Sequence, residues 1–300
     1  LIPGEFYKDY PDGKEFATWL ANIFTGKLPE IKIPQKNPNF DNVIIAFNKQ
    51  NLTVAYSSGT SGRHTFIPRD MKTYNAAEYA AGKSAVSMLY PLWEYDMHGY
   101  LLMPNPFKTN VFAGKVCGVF FDAIGDVIPA IDRQINTELI KLSMGAGGGL
   151  KAKIAKKAVS RQYKKIVSNI IKWLEKHEKK GSKIAFVGAP FILYSVTNKL
   201  IEMGKSFDFS GRAGIITGGG WKVHESKRTS VKDFRNKMKQ VLGINDEHCL
   251  DLYGMVEGNG WMIHCPEGHY LHIPYTYYHP LVLDKEFKPI GYNKWGRFAF

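Results

Sequence analysis

The residues best suited to chemistry stand in three short runs, each directly after a β-type stretch. The first is Tyr56-Ser-Ser-Gly-Thr-Ser-Gly62. Its glycines let the backbone turn tightly, and its N–H groups and hydroxyls can cradle a phosphate. It is not a Walker A loop, which needs four residues between its glycines and then Lys and Ser or Thr; here Arg63 follows the second glycine. The second run is Ile215-Ile-Thr-Gly-Gly-Gly-Trp-Lys222, where three glycines let a flat or bulky ligand approach the main chain. The third is Leu250-Asp-Leu-Tyr-Gly-Met-Val-Glu257. Tyr253 offers a ring on which a base can stack. Glu257 offers the hard oxygen that Mg²⁺ accepts alongside substrate phosphates. Taken singly, each run also has a plain structural reading: a polar turn, a glycine-rich turn, a core tyrosine with a solvated glutamate.

The elements that must position these runs alternate between strand and helix patterns. A Pro-rich stretch over 1–40 contains a short helix near 15–24. Branched residues predict strands at 42–47 and 52–57. Met71, Tyr74, Ala77, Ala81, Ala85, Met88 and Leu89 recur at helical spacing over 71–90. Strands are expected at 100–103 and 116–121, a helix at 129–142, and a flexible Gly-rich hinge at 145–149. After a long basic helix come a strand at 183–187, a helix at 191–203, a strand at 213–217, a helix at 230–242 and a strand at 248–253. From Trp261 onward short strands alternate with turns, and His98 reads as a loop residue. The pattern predicts an α/β layered domain with an appended β portion. In such a sheet ligands sit beyond the carboxyl ends of the strands, where the second and third runs fall.

Composition narrows the class. The chain has 300 residues, 44% hydrophobic and 22% charged, with a mean hydropathy of −0.24. These values argue against wholesale disorder, a collagen-like fibre or a multi-span membrane protein. No run approaches 18 uninterrupted apolar residues, so no membrane span is expected. The first residues lack the basic and apolar regions of a signal peptide. Three cysteines (117, 249, 265) without a CxxC pair fit a reducing compartment, and a cytoplasmic location is expected. The chain starts without Met, and residues 295–300 read as a strand cut short, which points to a missing C-terminal subdomain.

The net charge of +13 is concentrated. Residues 151–183 hold twelve Lys and Arg against Glu175 and Glu178, a segment charge of +10, so the rest is nearly neutral. Ile154, Ala158, Ile166, Ile170, Trp173 and Leu174 recur mostly four apart and predict an amphipathic helix. Its favoured reading is a solvated face whose Lys stems pack while their ammonium groups stay in water. A docking surface for a partner subunit, the nucleotide or an acidic acyl carrier comes second. Nucleic acid or a membrane surface comes third, and one Trp, one Tyr and no recognised motif argue against nucleic acid.

The three runs together, in this order and at these distances, resemble the adenylate-forming superfamily, whose members activate a carboxylate with ATP. Within it they look most like the acyl-protein synthetase (LuxE) branch, which supplies activated fatty acid to a fatty-acid reductase. The resemblance spans roughly residues 42–300. It implies that the chain is the large AMP-binding domain of such a ligase, with 1–40 as an N-terminal extension. It implies ATP phosphates on Ser57, Ser58, Gly59, Thr60, Ser61 and Gly62, with Thr60 and Glu257 acting in catalysis. Gly218, Gly219 and Gly220 would line the adenine site, with Tyr253 and Gly254 beside the base, and Glu257 would hold Mg²⁺. Gly188, Ala189 and Pro190 would flank the acyl pocket. An acyl-accepting reductase subunit or an acyl carrier would be the partner. An acyl- or aryl-CoA ligase using CoA is the alternative in the same fold. A basic binding protein acting through the 151–183 helix is the alternative of another class.

The chain departs from the superfamily pattern in two places. Arg63-His64 stand where a Lys is usual, and Val256 replaces the Thr of Tyr-Gly-x-Thr-Glu. The branch's acyl-accepting Cys lies toward the C-terminus, so Cys117, Cys249 and Cys265 inherit no role. A separate cluster, His264, Cys265, His269 and His272, holds zinc-type ligands. Its spacing matches no standard finger, and zinc is the weaker reading there.

Overall fold

The computed structural model describes residues 12–57, 65–89, 96–134, 149–264, 271–273 and 278–300. An N-terminal unit is built from α1 (Gly13–Ile23), α2 (Phe40–Asn48) and the antiparallel pair β1 (Leu52–Tyr56) and β2 (Phe66–Asp70). Asp12 caps α1, and Asn39 and Asn42 cap α2 reciprocally. These elements bury Phe16, Leu20, Val43, Ile44, Phe47, Val54 and Phe66 in one apolar cluster.

Among the described residues the main sheet has seven strands. Their chain order is β3 (His98–Pro104), β4 (Asp126–Ile131), β5 (Ile184–Gly188), β6 (Ala213–Gly218), β7 (Cys249–Tyr253), β8 (Met262–His264) and β9 (Leu271–His272). Their spatial order is β4-β3-β5-β6-β7-β8-β9, with the first five parallel and the last two antiparallel. Every residue of β5 and β6 is buried, because helices cover both faces. Strand periodicity sends Ile184, Phe186 and Ile215 to one side. There they meet α6 (Gly149–Lys179), α7 (Pro190–Glu202) and α8 (Val231–Leu242) through residues such as Ile170, Leu174, Leu193, Val196 and Met238. Ala185, Val187 and Ile216 point the other way. They meet α3 (Met71–Leu89) and the short helices α4 (Phe112–Lys115) and α5 (Val119–Ala123). A separate hairpin pairs β10 (Leu281–Leu283) with β11 (Arg297–Ala299).

Several expectations change. Residues 42–47 are helical in α2, because Val43, Ile44, Ala46 and Phe47 form one buried helix face behind the asparagine cap. Residues 116–121 are a 3₁₀ turn and the start of α5, so Phe112, Val116 and Phe120 recur four apart into the core. A short apolar run does not distinguish these states. Residues 129–131 end β4, and Pro129 is tolerated because β4 is an edge strand. Residues 132–134 follow the strand without forming a helix, while 135–142 and nearly all of the 145–149 hinge lie outside the described residues. The short strands after 260 divide: β8 and β9 extend the main sheet, and only β10 and β11 stand apart. In α6 the apolar face holds from Ile166 onward, but Ile154 and Ala158 are exposed, because no described element covers the first turns. No helix among the described residues is long and apolar enough to cross a membrane.

His98 is the first residue of β3, not a loop residue, and its Nδ1 lies 2.7 Å from Asp126 Oδ2. Its ring packs 4.3 Å from that of His177 in α6, which also lies 4.5 Å from the Trp173 ring. His177 is buried, and neither of its ring nitrogens has a hydrogen-bond partner among the described residues. Burial, and then the neighbouring His98 and Lys176, hold its pKa down from 6.5 to about 4. The unfolded chain therefore takes a proton that the folded one refuses. Stability is full above pH 6.5 and falls as pH drops toward about 4. Urea unfolding of His177→Phe should show a flatter pH dependence in this window than the unaltered protein. An unchanged slope would remove His177 as the titrating group.

Candidate functional site at the carboxyl ends of the strands

The β1–β2 hairpin brings Ser57 and Thr65 together at the neck of the first run. Ser57 N donates to Thr65 O at 2.9 Å, and Thr65 N donates to Ser57 Oγ at 2.9 Å. Tyr56 N donates to Asn110 O, tying the hairpin to the segment after β3. Ser58, Gly59, Thr60, Ser61 and Gly62 lie outside the described residues. Only Ser57 of the phosphate-binding set is placed, and its hydroxyl closes the neck.

The second and third runs meet at the ends of β6 and β7, where Gly218 is in register with Leu252. A Cβ on Gly218 would collide with the Leu252 side chain. Gly219 and Gly220 then turn through φ of 80° and 70°, the left-handed region that costs glycine nothing. Two cavities straddle this strand end. One, of about 40 Å³, is apolar and is lined by Gly188, Gly218, Gly219 and Gly254 with Phe112, Leu252 and Trp261. The other, of about 180 Å³, is lined by Pro190, Thr217, Gly220, Trp221 and Asp251. The 188–190 segment thus serves both sides, while Ala189 between them is buried in the core.

Asp251 is the acidic residue of the larger cavity, whose lining also carries Arg228, Ser230 and Arg235, and sequence reasoning missed it. Thr217 Oγ1 donates to Asp251 Oδ1 at 2.7 Å. Burial raises the carboxyl pKa, and the Thr217 bond and nearby His264 temper the rise. The available signal was an acidic residue inside an apolar strand, two places before Tyr253 and therefore on the same face of β7. Tyr253 is 44% exposed at the strand end. A half-exposed aromatic ring beside a half-buried acceptor suits a flat base that carries an amino donor.

Arg69 was also missed. It sits in β2 and is 4% exposed. Its Nε donates to Asn259 Oδ1 at 3.0 Å, and one terminal nitrogen donates to Val256 O and to Gly258 O, the latter at 3.1 Å. The guanidinium lies 5.2 Å from the Phe112 ring centre. Burial holds its pKa down to about 10, against the pull of Glu257. Glu257 is half-buried between the two carbonyls that Arg69 holds, and the Val256 side chain fills the core.

His264 and His272 stand on the neighbouring strands β8 and β9, while Cys265 and His269 lie outside the described residues. Among the described residues no three His, Cys, Asp or Glu converge as a metal site. Cys117 and Cys249 are buried, and burial pushes both thiols up to about 12, which makes them poor nucleophiles.

Residues 150–297 match the family model described as acyl-protein synthetase, LuxE. A long-chain-fatty-acid–luciferin-component ligase of Aliivibrio fischeri is 24% identical over 310 residues, spanning 100% of this chain and 73% of the relative. The open-conformation structure of a 2-hydroxyisobutyryl-CoA ligase with 2-HIB-AMP and CoA superposes with a TM-score of 0.51 at 12% identity, covering 86% of this chain and 49% of the other. A long-chain-fatty-acid-CoA ligase from Archaeoglobus fulgidus gives 0.45 at 15% identity, covering 82% and 40%. The chain spans less than half the length of these solved enzymes. Its α/β fold is similar to that of the 2-hydroxyisobutyryl-CoA ligase.

The tight strand end is directly testable. Gly218→Ala should cost about 1–3 kcal/mol through overpacking, read as a lower urea midpoint. Leu252→Ala in the same chain should recover most of that loss. Equal losses in both backgrounds would show that the two residues do not meet.

Proposed function

With residues 150–297 similar to the acyl-protein synthetases and the adenylate-forming fold as premise, we propose that this protein is a ligase that activates a fatty acid with ATP and passes the acyl group to a protein thiol. The observation that carries the reading is the pair of cavities on either side of Gly218–Gly220, one apolar and one holding Asp251. An acid with an apolar tail and a nucleotide must meet at the α-phosphorus, and this strand end has an apolar hollow on one side and polar groups on the other.

The base stacks on Tyr253, and its amino group donates to Asp251. The 57–62 run binds the phosphates. Glu257 is the residue that would hold Mg²⁺. The fit is sound: Mg²⁺ takes one or two carboxylates and completes its shell with phosphates and water, so a single half-buried carboxylate serves where three protein ligands do not converge. When bound, the ion neutralises charge on the phosphate oxygens. The carboxylate oxygen attacks the α-phosphorus, and the bond to pyrophosphate breaks. No general base is required, because the acid is already ionised at neutral pH. A thiolate then takes the acyl group and AMP leaves. Cys117 and Cys249 are buried and do not serve as the acceptor thiol; a cysteine placed as in the branch, or one on a reductase subunit or acyl carrier, is the fitting acceptor.

Acid-dependent ATP–pyrophosphate exchange with a panel of fatty and aryl acids tests this. Exchange with fatty acids is expected, falling about 10²-fold or more in Glu257→Gln, the order lost with one preorganised electrostatic group. Asp251→Ala should raise the KM for ATP. No exchange with any acid would overturn the proposal. Release of a CoA thioester, in place of label retained on denatured protein, would replace the thiol acceptor with CoA.

A further inference from the structure

We propose that Arg69 is a positioning residue that fixes Glu257 against the β1–β2 hairpin and thereby sets the Mg²⁺ dependence of nucleotide binding; this rests on the reading that Glu257 serves ATP. β2 leaves the neck at Thr65, and Arg69 lies four residues farther on, paired with Thr53. From there the side chain crosses to a turn nearly 190 positions away in sequence. One terminal nitrogen donates to the carbonyls of Val256 and Gly258, which flank Glu257, and Nε donates to Asn259 Oδ1 at 3.0 Å. A planar guanidinium with three such bonds fixes the turn in orientation as well as in place, which a lysine ammonium cannot do.

The cost of the arrangement points the same way. A buried guanidinium is expensive, and an apolar side chain of similar volume often serves stability as well or better. Arg69 rests on Phe112, a wall of the apolar cavity, so the same side chain meets the hairpin, the motif turn and that cavity. Glu257 acts on Arg69 electrostatically, yet among the described residues it makes no ion pair with it. Arg69 therefore grips the backbone on either side of Glu257 and leaves the carboxylate oxygens open to a cation.

The test compares the unaltered protein with Arg69→Lys and with the milder Asn259→Ala. Two readouts are taken: backbone hydrogen exchange over 254–260, and ATP binding by calorimetry across a Mg²⁺ titration. Arg69→Lys should speed exchange over 256–260 while the amides of β5 and β6 keep their protection. The Mg²⁺ needed for half-maximal ATP binding should rise about ten-fold, with metal-free ATP binding little changed. Asn259→Ala should shift it two- to three-fold in the same direction. Faster exchange with an unaltered Mg²⁺ requirement in both variants would show a merely structural role and overturn the inference. Unchanged exchange in Arg69→Lys would do so too. If the unaltered protein binds no ATP, with or without Mg²⁺, the nucleotide reading itself falls and takes this inference with it, a result visible before any variant is made.

Discussion

No Cβ fits between Gly218 and Leu252, and the site depends on that contact. Five parallel strands end side by side, and at most such ends a side chain would fill the space above the sheet. Here β6 ends on glycine, the Leu252 side chain of β7 packs against it, and the main chain itself stands between two cavities. Gly219 and Gly220 carry the chain away through left-handed turns, which leaves both sides open. The partition is only as good as its support. Behind it, β5 and β6 are buried on both faces, and the helices of each layer hold them in register.

The second constraint comes from outside the main sheet. The β1–β2 hairpin pairs with no strand of that sheet, yet Arg69 joins it to the turn after β7. The hairpin carries the first run of candidate residues and the turn carries Glu257. A phosphate site divided between two parts of the chain works only if their spacing is held, and a buried guanidinium with a fixed fork of donors is a rigid way to hold it.

Much of this was legible in the sequence where backbone chemistry leaves marks. Three consecutive glycines after a branched strand announced the end of β6, and the helices from 190 and 231 followed their spacing. What failed were short apolar stretches: 42–47 and 116–121 have strand-like composition, and a cap at Asn39 or packing four residues apart decided for helix. Asp251 and Arg69 were hidden for another reason. Their importance comes from burial and from partners distant in sequence, and nothing local in Phe66–Asp70 shows that an arginine there reaches residues 256–259. The charge of +13 also changed meaning. Most of it lies on α6, whose Ile166, Ile170, Trp173 and Leu174 cover the sheet while Lys153, Lys157, Lys164, Lys165 and Lys172 stay in water.

The central claim is that the nucleotide sits at the ends of β6 and β7. Photolabelling with 8-azido-ATP, followed by peptide mapping, tests it most directly. Label that is displaced by ATP and found within 217–221 and 249–254 is the predicted result. Label confined to the basic helix over 153–180, with the strand-end peptides unmodified, would contradict it.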